Sequence, residues 1–304
     1  MLIKTTALTG AIAISVAAIL WGFDGIVLTP RLYNLNIAYV VFMVHCIPFV
    51  ILNFICFNSY KELKTFRKTD FIYFFLIALF GGALGTLAIV KALFLVNFQS
   101  LTVVVLLQKL QPVFAIILAA IILKERIHKG FVVWASVAII ASYLLAFGLS
   151  IPDFNTGYHT TLAALFSLMA AFSFGSATVF GKKILNKVNF ISATFFRYGF
   201  TSIIMLVIVL INGSLNQLQH TTQQNWLILF IIAFTTGSGA LFLFYYGLRK
   251  VKAMVATICE LFFPVSAILF DYFFNGKVLS PIQWISATIL LIAIIKLSIR
   301  PSVD

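Results

Sequence analysis

Charge is scarce in this chain. Only 10% of its 304 residues are Asp, Glu, Lys or Arg, against roughly 25% in an ordinary soluble domain, which excludes a water-soluble fold with a solvated charged surface. Acid is scarcer still, with 8 Asp and Glu against 21 Lys and Arg. Cysteine occurs 3 times, at Cys46, Cys56 and Cys259, each inside an apolar stretch. That spacing suits neither a disulfide framework nor a metal-ligand set, so neither metal nor cofactor is expected. The residues of an HExxH zinc site, a GxSxG nucleophile elbow or a P-loop are missing, which removes zinc proteases, serine hydrolases and nucleotide-driven pumps. Gly237-Ser238-Gly239 is too short to replace them and lies in an apolar run. No enzyme is expected.

Apolar residues are abundant: 62% of the chain is hydrophobic, 33 residues are Phe and the mean hydropathy is +1.10. Cutting where polar residues cluster leaves ten segments, near 7–28, 36–57, 70–91, 99–123, 130–149, 159–181, 191–211, 226–248, 253–274 and 281–299. Each approaches the ~20 residues with which a helix crosses ~30 Å of hydrocarbon. A β-barrel would instead show alternating segments of ~10 residues. The expected fold is therefore an all-α integral membrane protein with ten transmembrane helices and the lipid bilayer as its surroundings. The first segment, Ala7 to Leu28, is longer than the apolar region of a signal peptide and reads as a retained span.

The basic residues test this division. Sixteen of the 21 Lys and Arg fall on the side of Lys4, in clusters at 61–68, 124–129, 182–187 and 249–252 and at the tail. Only Arg31, Lys91 and Lys277 fall on the other side, while Lys109 and Arg197 lie within spans. Such a skew places both termini in the cytoplasm of a bacterial-type inner membrane. It also accounts for the net charge of +13 without nucleic acid as a partner.

The chain repeats itself at half its length. TVVVLLQKLQPVFAIILAAI (102–121) lines up with MVATICELFFPVSAILFDYF (254–273) at an offset of 152, setting Pro112 on Pro264 and Lys109 beside the equivalent of Glu260. AAILWGFDG (17–25) pairs with AAFSFGSAT (170–178) at 153, and GGALGTL (81–87) resembles TGSGALF (236–242). Residues 1–150 and 151–304 thus read as two five-helix repeats. An odd number of spans turns one repeat over relative to the other, and such inverted-topology pairs carry a site near the midplane of secondary transporters.

The Trp21-Gly22 pair closing an alanine-rich first span, and the apolar-Pro-apolar fourth span ending in LKER (123–126), resemble the EamA-type branch of the drug/metabolite transporter superfamily over essentially the whole chain. That resemblance implies alternating-access transport of a small organic solute, with a site between spans 1, 3, 4, 6, 8 and 9. Asp24 stands where many members carry a small or amide residue, and the second repeat reads NGK (275–277) where the first reads KER.

The ionisable groups inside spans are the candidates for that site. Lys109, flanked by Gln108 and Gln111 and followed by Pro112, lies ten residues into its span, ~15 Å deep and near the bilayer centre. It either clamps the bundle or docks an anionic group of the solute. Glu260 lies seven residues into the ninth span; it either pairs with Arg197, which enters at similar depth, or binds a solute amine or a coupling proton. Thr257, Glu260, Pro264, Ala267 and Asp271 follow helical spacing and are expected on one inward face. Asp24, one turn beyond Trp21, either meets water or Arg31 or forms a cation-binding corner with the indole. His45 reads as a hydrogen-bonded packing residue, the glycines of the third and eighth spans as close-packing positions, and Tyr245 and Tyr246 as interfacial or lipid-facing.

Taken together, these residues suggest a secondary transporter or exchanger of a small metabolite, with a zwitterion such as an amino acid as the expected solute. Lys109, Glu260, Gln108, Trp21, Asp24 and Thr257 are the substrate-binding candidates; Arg197, Asp271, Pro112 and Pro264 are the gating or pairing ones. Protons or a counter-substrate are the coupling partners, and the repeat pair in one chain makes a functional monomer. The alternatives are an exporter of cationic drugs or amines, which would tolerate loss of Lys109, and a passive channel, which would show neither saturation nor counter-flow.

Overall fold

A computed structural model describes residues 2–95, 107–149, 157–276, 278 and 280–299. Among these residues every regular element is helical, as a chain passing through lipid must be to satisfy its backbone internally. Among the described residues seven helices are long and apolar enough to span a membrane: Thr6–Leu32, Ile37–Ile55, Lys68–Ala92, Thr161–Leu185, Phe190–Ile211, Gln223–Lys250 and Ala253–Phe274. Three shorter apolar helices, Gln111–Ile122, Lys129–Leu145 and Pro281–Leu297, correspond to the remaining expected segments. The first part of the expected fourth segment lies outside the described residues.

The α-helices are α1 (Leu2–Phe23), α2 (Ile37–Ile55), α3 (Lys68–Ile77), α4 (Gly85–Leu95), α5 (Gln111–Ile122), α6 (Lys129–Phe147), α7 (Gly157–Leu185), α8 (Phe190–Ile211), α9 (Gln223–Ile232), α10 (Ser238–Lys250), α11 (Ala253–Cys259), α12 (Phe262–Asn275) and α13 (Pro281–Ile299). Local sequence sets their ends. The Asn36 side chain accepts from Ala38 N and Tyr39 N to start α2, and Asn189 accepts from Ile191 N to start α8. Thr222 and Asn225 form a reciprocal capping box at α9. Gly276, at φ 70°, closes α12 in the left-handed conformation that glycine adopts without a Cβ penalty.

Packing follows a two-fold rule. α1 lies against α10 and α12, and the matching elements five spans on do the same: α7 lies against α4 and α5. α2 pairs with its own counterpart α8, α6 with α13, and α5 with α11. The α2–α8 pair runs antiparallel, with Phe49 against Phe195 and Tyr39 near the far end at Thr221. Two close crossings repeat down to single atoms. A Cβ on Gly22 would lie 3.0 Å from Ala267 N and 3.1 Å from Phe263 O; one on Gly175, 153 residues on, would lie 3.0 Å from both Ala115 N and Gln111 O. Those two contacted pairs are themselves 152 residues apart. Only a residue without a side chain lets the two backbones approach so closely.

Two irregularities recur as well. The third span widens into a π-helix at Ala78–Leu84, between α3 and α4, and the eighth does so at Ala233–Gly237, between α9 and α10. The fourth span turns at 109–110 before α5, and the ninth turns at 260–261 between α11 and α12. Each turn stands just ahead of a buried proline, Pro112 or Pro264, whose ring removes an amide from the ladder and clashes with the preceding turn.

Candidate functional site

The turn at 260–261 interrupts the helical face expected from Thr257 to Asp271. Glu260 ends α11 with its backbone N–H on Ala256 O, and its own carbonyl accepts from Phe263 N at 2.9 Å. Its carboxylate points across the repeat boundary. Gln111 Nε2 donates to Glu260 Oε2 at 2.7 Å, and the Thr178 hydroxyl lies 3.2 Å from Glu260 Oε1 and 3.2 Å from Phe174 O. One carboxylate therefore joins α5, α7 and α11, elements of both repeats. Gln111 and Glu260 are partly buried, and Thr178 is 4% exposed.

Lys109 occupies the turn ahead of α5 and is partly buried, with Nζ 4.7 Å from the centre of the Phe263 ring. Its charge is thus met by an aromatic face, a contact worth about 0.5–2 kcal/mol. Neither Lys109 nor Arg197 forms an ion pair with Glu260; among the described residues the ion pair is Lys187 with Asp70, at 2.7 Å. The Arg197–Glu260 pair weighed from the sequence is replaced by another partner: Arg197 Nη1 donates to the Tyr245 hydroxyl at 3.3 Å and the guanidinium lies 5.5 Å from that ring. Arg197 Nε has no hydrogen-bond partner among the described residues.

Tyr245 is 0% exposed, which corrects its expected place at an interface or toward lipid. It falls on the buried face of α10 with Leu241 and Leu248, a helical spacing that marks an inward position. Tyr246 does face outward, beneath the Lys250 ammonium at 3.8 Å from its ring centre. His45 takes the packing role, with Nδ1 2.7 Å from Val41 O and its ring 5.6 Å from that of Tyr198.

The outer corner differs from the expected cation trap. Asp24 begins a π-turn at Asp24–Leu28 and accepts from the Thr29 hydroxyl at 3.0 Å, while the Arg31 guanidinium donates to Val27 O. The Trp21 indole packs on Phe244, centroids 5.4 Å apart, so one neighbour already occupies it. Gln108 is partly buried in the turn before Lys109, Asp271 is partly buried on α12, and Thr257 is fully buried with its hydroxyl unpartnered among the described residues. Gly81 and Gly82 are tight packing positions, where a Cβ would lie 2.7 Å from Ala177 Cβ and 2.3 Å from Thr201 Cγ2.

The site that emerges is a carboxylate with two neutral donors, a lysine on a phenyl ring and further rings nearby. Phe114, three residues past Gln111, meets Phe172 edge-on at 5.7 Å, and Phe172 meets Phe80 at 5.9 Å. Gln111 and Thr178 were not among the residues singled out as binding groups. Thr178 had a signal, since it closes the 170–178 repeat match three residues after Gly175, the residue that packs on Gln111.

Helices paired by exchange of two halves, broken at equivalent prolines around a shared polar centre, define a multi-pass transporter of small molecules. The chain belongs to the EamA-like transporter family, whose pattern matches residues 8–147 and again 161–299. It is 51% identical over 290 residues, 95% of this chain and 97% of that one, to the riboflavin transporter ImpX of Fusobacterium nucleatum subsp. nucleatum (strain ATCC 23726 / VPI 4351). A solved crystal structure of a protein 15% identical superposes with a TM-score of 0.69, covering 93% of this chain and 94% of that one, a likeness of fold alone.

Proposed function

We propose that this chain carries riboflavin or a closely related flavin across a bacterial cytoplasmic membrane by alternating access. The observation that carries the reading is the 51% identity over nearly the full length to a protein named as a riboflavin transporter. The geometry is compatible with it. A flavin offers a flat ring, a hydrogen-bonding edge and a polyol tail, and the Gln111–Glu260–Thr178 cluster beside Phe263 offers acceptors, donors and an aromatic surface to such a solute. An amino acid, the solute first expected, has no support among the relatives, and Glu260 is already engaged by neutral donors rather than held open for an amine.

In this reading the lysine-rich face is cytoplasmic, both termini lie on it, the two repeats divide near residue 150, and a monomer suffices. Glu260 and Gln111 hold the solute, Lys109 and Phe263 border it, and protons or a counter-solute drive the cycle. Proteoliposomes holding the purified chain, offered riboflavin, test this directly: uptake should saturate, and isoalloxazine fluorescence should fall as the ring stacks on aromatic side chains. Absence of both responses in folded protein, together with saturable uptake of an amino acid, would return the zwitterion to first place.

A further inference from the structure

The LKER motif (123–126) at the end of the fourth span has no part in the central site, yet its glutamate reaches across the repeats. Glu125 Oε1 accepts from Ala253 N at 2.8 Å and Oε2 from Met254 N at 3.1 Å. Those are the first two amides of α11, which have no intrahelical acceptor and which Lys252, the residue before them, does not cap with its side chain. A carboxylate from one repeat thus closes the helix that ends, seven residues later, at Glu260 in the other. Lys124 takes a φ of 57°, and among the described residues it is the one non-glycine with positive φ. That strained conformation turns the chain after α5 so that Glu125 faces α11.

Two further features seal the same end. Lys182 Nζ donates to Leu248 O at 2.9 Å and Arg249 O at 3.1 Å, fixing the end of α10 to α7 just before the turn into α11. Beneath Glu125, Ala119 of α5, Val179 of α7 and Ala253 and Met254 of α11 form a buried apolar cluster, with Ala120 and Phe131 packed against it. In an inverted repeat the opposite face should carry the same device if the two closures were equal. In sequence neither the carboxylate nor the ammonium recurs: an offset of 152 takes Glu125 to Lys277, which lies outside the described residues, and an offset of 153 takes Lys182 back to Thr29. A lysine cannot cap amides, and Thr29 is spent on Asp24.

We infer that Glu125, supported by Lys182, is a latch across the lysine-rich face of the solute path that holds this face closed in the empty carrier. This rests on the transport reading above but not on the cargo. Opening requires Glu125 to leave α11, exposing the apolar cluster to water. Losing a charged hydrogen bond that exists in one of two states shifts their ratio roughly ten-fold or more.

The test uses the full-length chain in nanodiscs without solute, with Cys46, Cys56 and Cys259, all free thiols, replaced and Ala120→Cys as the reporter. A hydrophilic maleimide should label that thiol slowly in the parent, roughly ten-fold faster with Glu125→Gln, and by a smaller factor faster with Lys182→Met. Labelling that Glu125→Gln leaves unchanged would overturn the latch. Should that variant not fold, the pair Glu125→Cys and Ala253→Cys decides: oxidation should stop solute uptake and reduction restore it, whereas undiminished uptake with the bridge intact would end the proposal. Because labelling needs no solute, a wrong cargo and a wrong latch give different results.

Discussion

At 109–110 the fourth span breaks and brings a lysine onto the Phe263 ring; at 260–261 the ninth breaks and brings a carboxylate onto an amide and a hydroxyl. The two turns are equivalent in backbone, each ahead of its proline, and each is crossed by a glycine that touches its partner's main chain. They share no chemistry at all. In the proposed transport reading, the two matching turns would serve to expose the centre to either face, while recognition would fall to a single asymmetric site drawn from both halves of the chain.

Removing the acidic member breaks that comparison hardest. Glu260→Ala leaves the Gln111 amide without its acceptor, at about 1–3 kcal/mol, while the Thr178 hydroxyl keeps Phe174 O; flavin affinity, read by fluorescence titration, should fall roughly 10- to 100-fold. Glu260→Gln, which keeps an acceptor oxygen, should fall less. The glycine crossings probe the shared part. Gly22→Ala and Gly175→Ala each press a methyl on a backbone, and each should cost about 1–3 kcal/mol by thermal melting in detergent; Gly22→Ala also meets the Ser266 hydroxyl, so its loss should be the larger unless Ser266→Ala accompanies it, and a large inequality in that background would contradict equivalent crossings. Lys109→Met keeps the aliphatic stem and drops the charge. If the ammonium acts through Phe263 alone, riboflavin affinity should fall by roughly 2- to 30-fold, in line with about 0.5–2 kcal/mol for the cation–π contact, whereas a loss of roughly 100-fold or more would mean that Lys109 touches the solute. The smallest effect belongs to the periphery: Lys187, half exposed in its ion pair with Asp70, should change stability by about 0–1 kcal/mol when replaced by alanine, with the difference shrinking further at high salt.

Much of this was legible beforehand because lipid imposes a simple code. Spans are long apolar runs, and nine of the ten expected segments fall within a few residues of described apolar helices, while the fourth begins outside the described residues. The repeat was legible as well, because glycine and proline positions recur at offsets of 152 and 153. Partner choice was not. Depth along a helix placed Arg197 level with Glu260, but which neighbour a side chain meets depends on helix rotation, and rotation gave Arg197 to Tyr245. The helical face from Thr257 to Asp271 was drawn on a regular ninth span, and the turn at 260–261 ahead of Pro264 was not visible in its spacing. Likewise Gln111 was visible as polar seasoning around Lys109, yet nothing in the chain said that it, rather than the lysine, would reach the carboxylate.

The wide turns in the third and eighth spans have a mechanical meaning. A helix that holds one surplus residue can hand it to the next turn, and each residue the bulge passes changes its facing by about 100°. The ladder stays whole while this happens: the Ser238 hydroxyl already attends to the Ala233 carbonyl, and the Gly85 amide to Phe80 O. In hydrocarbon, where a bare amide or carbonyl costs several kcal/mol, such stored slack lets a membrane helix twist in the middle without ever letting go of itself.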